Sequence, residues 1–209
     1  MAASETLISA FTTLLVTVDP PGLAPLFLGL TQGMTAAQRK QVAVRGSLLG
    51  FAILTAFALF GAALFDALGI YTSALRIAGG LLLFTIAFEM IFEKRNERKE
   101  KTTGDAITKD HIHNLAAFPL AIPLIAGPGA ISATVLISGN MPDWLDKLLL
   151  IAVIAVVLGL VFVSLSLAER LNRFLGVTGR AVLTRLLGVL LAALSVQFVI
   201  DGIKSAFNL

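Results

Sequence analysis

Two short stretches hold the residue types that can do chemistry inside an otherwise apolar chain. One is Thr17-Val-Asp-Pro-Pro-Gly22, and the other is Gly127-Pro-Gly-Ala-Ile-Ser132. Proline lacks the N–H that a helix needs and its ring clashes with the carbonyl four residues back. Pro20 and Pro21 therefore free the carbonyls of Val16 and Thr17, and Pro123 and Pro128 free those of Pro119 and Leu124. Pro21, Gly22, Gly127, Pro128 and Gly129 thus mark two helix breaks, where glycine lets a ligand approach the backbone closely. If helix resumes after Gly22 and after Gly129, two positive half-helix ends face one space and suit an anionic group. The freed carbonyls suit an ammonium or a cation. The two together describe a pocket for a small zwitterion, and the competing reading is a pair of packed structural kinks. Asp19 has three readings: partner of the substrate ammonium, acceptor of a coupling proton, or cap of the resumed helix. The hydroxyls of Thr17, Ser132 and Thr134 either add hydrogen bonds to a ligand or bond their own helices.

The elements that hold these breaks follow from composition. The chain has 209 residues, 57% hydrophobic and 14% charged, with mean hydropathy +0.91. A soluble domain carries about 25% charged residues, so the chain is read as an integral membrane protein. It has no cysteine, which excludes a disulfide framework, a thiolate nucleophile and a Cys-based metal site. Asp110-His-Ile-His113, read as part of a loop, makes a poor metal site, so no metal and no cofactor are expected. No convincing nucleophile–base pair is present either, and no enzyme activity is expected.

Six segments are long and apolar enough to cross about 30 Å of hydrocarbon. They run over residues 6–30, 46–65, 72–92, 114–138, 148–168 and 181–203. No basic n-region precedes Arg39, so no cleavable signal peptide is expected. The loops after spans one, three and five hold twelve of the sixteen Lys and Arg residues, while the opposite face holds Lys147 and Lys204. The positive-inside rule then places both termini outside the cytoplasm. The basic run 93–101 is read as a solvated loop that sets topology, not as a nucleic-acid site. Arg76 and Arg185 sit at helix starts and are read as anchors or gate residues. Glu89 is a weaker candidate for a proton relay, and Asp201 is read as interfacial. Gly46-Ser-Leu-Leu-Gly50 is a close-packing pattern, expected to serve contacts within the chain more than a dimer.

The chain also repeats itself. Pro21-Gly22 matches Pro128-Gly129, Leu68-Gly69 matches Leu175-Gly176, and the spacing from Gly22 to Gly69 equals that from Gly129 to Gly176. Arg76-Ile-Ala-Gly79 matches Arg185-Leu-Leu-Gly188 after a two-residue insertion. Each repeat holds three spans, an odd number, so the second copy must cross in the opposite sense. The expected architecture is an all-α membrane protein: a three-helix repeat over 1–92, a cytoplasmic linker over 93–113 and an inverted repeat over 114–209. The first and fourth helices are broken.

Asp19-Pro-Pro-Gly22, the segment from Asn114 to Gly129 and Arg76-Ile-Ala-Gly-Gly-Leu-Leu-Leu-Phe84 resemble the MarC family of bacterial inner-membrane proteins, over nearly the whole chain. That resemblance implies an inner-membrane location and transport of small neutral amino acids such as glycine and alanine. The absence of an ATP-binding loop makes an ion gradient, of protons or sodium, the expected energy source. Membrane lipids and the substrate are the expected partners, and the competing functions are export of another small metabolite or drug and a non-transporting membrane role.

Overall fold

The computed structural model describes residues 3–92, 109–139, 141, 143–174 and 177–207, and every regular element among them is helical. The first four helices are α1 (Ala3–Val18), α2 (Pro20–Leu30), α3 (Ala36–Leu68) and α4 (Thr72–Ile91). They are followed by α5 (Lys109–Leu115) and a wide-turned segment of π type (Ala116–Ile125). The chain ends with α6 (Pro128–Gly139), α7 (Trp144–Phe174) and α8 (Val177–Phe207).

Among the described residues, four stretches are long and apolar enough to cross a membrane: Leu7–Leu30, Ala36–Leu68, Trp144–Ala168 and Gly188–Phe207. A fifth appears if the pair Asp110–Ile125 and Pro128–Gly139, bent by 60°, counts as one span. The third of the six expected spans corresponds to α4, a 20-residue helix whose described apolar stretch runs over Thr72–Phe88. Large side chains such as Phe60, Leu145 and Leu190 stand more than half exposed on the outside of this assembly. An apolar exterior of that kind is the surface a bilayer solvates.

Local signals in the sequence explain the helix ends. Thr35 and Gln38 close a reciprocal capping box at the start of α3, with Thr35 N–H donating to Gln38 Oε1 at 2.9 Å. The buried Arg39 guanidinium donates from Nε to the Thr31 carbonyl at 3.4 Å, placing a cation at the α2 C-terminus. Most of the expected linker, residues 93–108, lies outside the described residues, as do Leu175-Gly176 of the repeat and the Glu89 side chain. The last five linker residues differ from expectation. Lys109–Leu115 is helical, so His111 and His113 ride on α5 and not in a loop. Asp110 in the first turn suits the helix dipole, and Ile112 and Leu115 are buried and tie the short helix down.

α4 packs most extensively against α8, α3 packs against α7, and α1 packs against α6 and α7. α2 also packs against α7, and α3 packs against the π-type segment and α6. The α4–α8 contact is a backbone approach. A Cβ on Gly80 would stand 2.6 Å from the Ser195 carbonyl oxygen, and one on Gly202 2.9 Å from that of Ser73. The glycines of the Gly46–Gly50 pattern face inward within the chain, Gly46 against Leu120 and Gly50 against Ile125.

Candidate functional site

The first break is a single residue wide. Asp19 takes the left-handed conformation, φ 50° and ψ 66°, and is the N-cap of α2. Pro20 and Pro21 occupy the first helical turn and bring no N–H, so the first donor needing a partner is Gly22. Asp19 Oδ1 accepts from Gly22 N–H at 3.1 Å. Helical bonds continue on both sides, from Asp19 N–H to Leu15 and from Leu23 N–H to Asp19, each 3.0 Å. Helix therefore resumes at Pro20, three residues earlier than expected, because prolines are preorganised for a helix start. The α2 terminus carries its own carboxylate instead of standing open. Asp19 and Pro21 are exposed, and Pro20 is buried.

The second break is larger. Phe118 and Ile122, each preceding a proline, are extended at φ −137° and −126°. A long bond from Ala126 N–H to the Ala121 carbonyl, 2.8 Å, closes the wide turn. Helix resumes at Pro128, whose ring packs on Gly79 of α4, two residues before the expected point. The first intrahelical bond runs from Ile131 N–H to the Gly127 carbonyl at 2.9 Å. Pro128 has no N–H, so Gly129 and Ala130 carry the α6 donors that precede the intrahelical ladder. Gly127 is buried, and a Cβ there would lie 2.5 Å from the Pro123 carbonyl oxygen.

A cavity of about 400 Å³ lies beside this break. Thr13 and Thr17 of α1, Arg76 of α4, Phe198 and Asp201 of α8, and Gly129, Ala133, Leu136 and Ile137 of α6 line it. Its volume falls within the roughly 300–1,000 Å³ range of small-molecule sites. Gln197 Nε2 donates to Asp201 Oδ1 at 2.7 Å, which holds the carboxylate and leaves its other oxygen to accept. Thr17 Oγ1 donates back to the Thr13 carbonyl at 2.9 Å, so toward the cavity it can act only as an acceptor.

Of the eight residues expected to bind substrate, Thr17 and Gly129 line this cavity. Asp19, Pro21 and Gly22 form the α2 cap, while Gly127 and Pro128 form the bend. Ser132, one turn beyond Gly129, is 1% exposed and its hydroxyl has no hydrogen-bond partner. Thr134 Oγ1 bonds its own helix at the Ala130 carbonyl, 2.7 Å. The structure adds Thr13, Phe198 and Asp201, which sequence reasoning passed over or read as interfacial, and it brings Arg76 into the same space. One signal was available: Gln197 and Asp201 stand four apart on one helix face, a spacing that lets side chains meet.

Membrane-length apolar helices, broken at proline and with a half-open pocket among four of them, define a multi-pass integral membrane protein. Comparison with known families gives the particular one. Residues 4–207 match the model of the MarC family integral membrane proteins, and the chain belongs to that family. It is 35% identical to a UPF0056 membrane protein of Archaeoglobus fulgidus over 196 residues, 93% of this chain and 91% of the relative. It is also 33% identical to the UPF0056 membrane protein YvbG of Bacillus subtilis over 201 residues, 96% and 95% of the two chains. A relative in Aquifex aeolicus is 35% identical over 200 residues, 95% and 92% of the two. These names describe membrane proteins and state no substrate. No solved structure matches the chain.

Proposed function

We propose that the chain is a secondary transporter of small neutral amino acids in the bacterial inner membrane, working by alternating access between two inverted three-helix halves. The observation that carries this reading is the cavity shared by Arg76 from the first half and Asp201 from the second. A guanidinium and a carboxylate in one small space complement the two charges of a zwitterion. Arg76 takes the substrate carboxylate, assisted by the N–H donors at the start of α6, and Asp201 takes the ammonium. The contact between each pair of equivalent spans supports the inverted repeat, in which a substrate site falls at the interface of the halves. With both termini outside the cytoplasm, Arg76 near the start of α4 and Asp201 near the end of α8 lie in the outer half. The arrangement then corresponds to an outward-facing state. An ion gradient drives the cycle, with Asp19 and Asp201 as the carboxylates that can exchange a proton or hold sodium.

The test is uptake of radiolabelled glycine and alanine by purified protein in proteoliposomes, with and without an inward proton or sodium gradient. Saturable uptake is expected. Arg76→Gln and Asp201→Asn should each lower uptake efficiency at least about tenfold, because a hydrogen bond to a charged group contributes about 1.5–3 kcal/mol. A folded preparation that moves neither amino acid sinks the reading, and full activity in both variants moves the substrate elsewhere.

A further inference from the structure

Glycine inside a helix is disfavoured relative to alanine, and three things excuse it: a left-handed backbone, a neighbour too close for a methyl group, or a ligand approaching there. Several glycines near the breaks have the second excuse. A Cβ on Gly22 would meet the Asp19 carboxylate, one on Gly79 would meet the Pro128 ring, and one on Gly127 would meet the Pro123 carbonyl. Gly129 has neither of the first two. Its φ is not positive, and a Cβ built on it would find nothing within 4 Å. Two other helical glycines face open space: Gly139, the last residue of α6, and Gly159, on an exposed face of α7. Gly129 differs from both because it is partly buried and lines the cavity with Arg76 and Asp201.

We infer that Gly129 sets the size of the substrate, its missing side chain leaving the space that the α-carbon and side chain of the amino acid occupy. This rests on the transport reading above and deepens it. The amino acid is held at its two charged ends by side chains on α4 and α8, so what varies between substrates must be fitted against α6. Room at Gly129 admits glycine and alanine, and filling it with a methyl group turns an alanine site into a glycine site.

The experiment measures binding of glycine and of alanine to the purified protein by calorimetry, in the wild type and in Gly129→Ala. The wild type should bind both. Gly129→Ala should weaken alanine relative to glycine by about tenfold or more, the scale of discrimination that one methylene brings. A variant whose glycine-to-alanine ratio matches the wild type overturns the size limit alone. A wild type that binds neither overturns the amino-acid reading, and the size limit with it. Gly129→Cys supplies a second readout in native membranes, since the chain has no other cysteine. Labelling by a small maleimide should be slowed several-fold by saturating glycine, and labelling that glycine leaves unchanged overturns the inference.

Discussion

Asp19 is a residue whose charge and shape can be separated. Its carboxylate caps α2 through Gly22, and its backbone sits at φ 50°, where asparagine is tolerated and alanine is not. Asn and Asp are about equal as N-caps, whereas losing the cap costs about 0.5–2 kcal/mol. Asp19→Asn should therefore keep the stability of the detergent-solubilised protein. Asp19→Ala should lose roughly 2 kcal/mol from the cap and the left-handed backbone together, and Gly22→Ala about 1 kcal/mol by pushing the carboxylate off its donor. Thermal unfolding followed by circular dichroism checks the order. An Asn variant as unstable as the Ala variant would mean that the charge, not the cap, holds this turn. Asp19 was legible in the sequence because a cap is local: an acid, two prolines and a glycine in a row state their own geometry. Asp201 was not, because its cavity exists only where α4 and α8 meet, across more than a hundred residues of chain.

At the level of helices, the chain uses glycine for two kinds of closeness, and they should differ in what they tolerate. A methyl group on Gly80 would run into the Ser195 carbonyl oxygen, a backbone atom that cannot swing aside. One on Gly46 would meet the end of the Leu120 side chain, which can change rotamer. Gly80→Ala is expected to destabilise by about 1–3 kcal/mol, the usual range for overpacking, and Gly46→Ala by less than about 1 kcal/mol. Unfolding of the two variants under identical detergent conditions tests this, and equal losses would show that the Leu120 contact is as rigid as backbone. The breaks themselves illustrate what a local reading can reach. Proline spacing marked both positions. It did not reveal that one break costs a single residue while the other turns the chain by 60°, with Phe118 and Ile122 extended. That difference comes from what packs around each proline: Gly46, Gly50 and Gly79 make room for Leu120, Ile125 and Pro128.

For the molecule as a whole, the charge asymmetry predicts an orientation, and the cysteine-free chain makes it easy to test. Ser205 and Lys40 are both exposed and belong to opposite sides in the proposed topology. In intact cells a membrane-impermeant maleimide should label Ser205→Cys, and it should reach Lys40→Cys only after permeabilisation. The reverse pattern would invert the protein and turn its cavity toward the cytoplasm. The helix α4 carries a different kind of consequence, one that belongs to synthesis. Arg76 stands in its second turn, a charge that is costly in hydrocarbon until it meets a partner. Its main partner, α8, is made only after α5, α6 and α7. Until then α4 has no Gly202 to nest against and no Asp201 across from its arginine. The first three helices are thus not a finished unit waiting for a second. The nascent chain holds α4 without its main partner until α8 is made, and α8 is the segment that seats it.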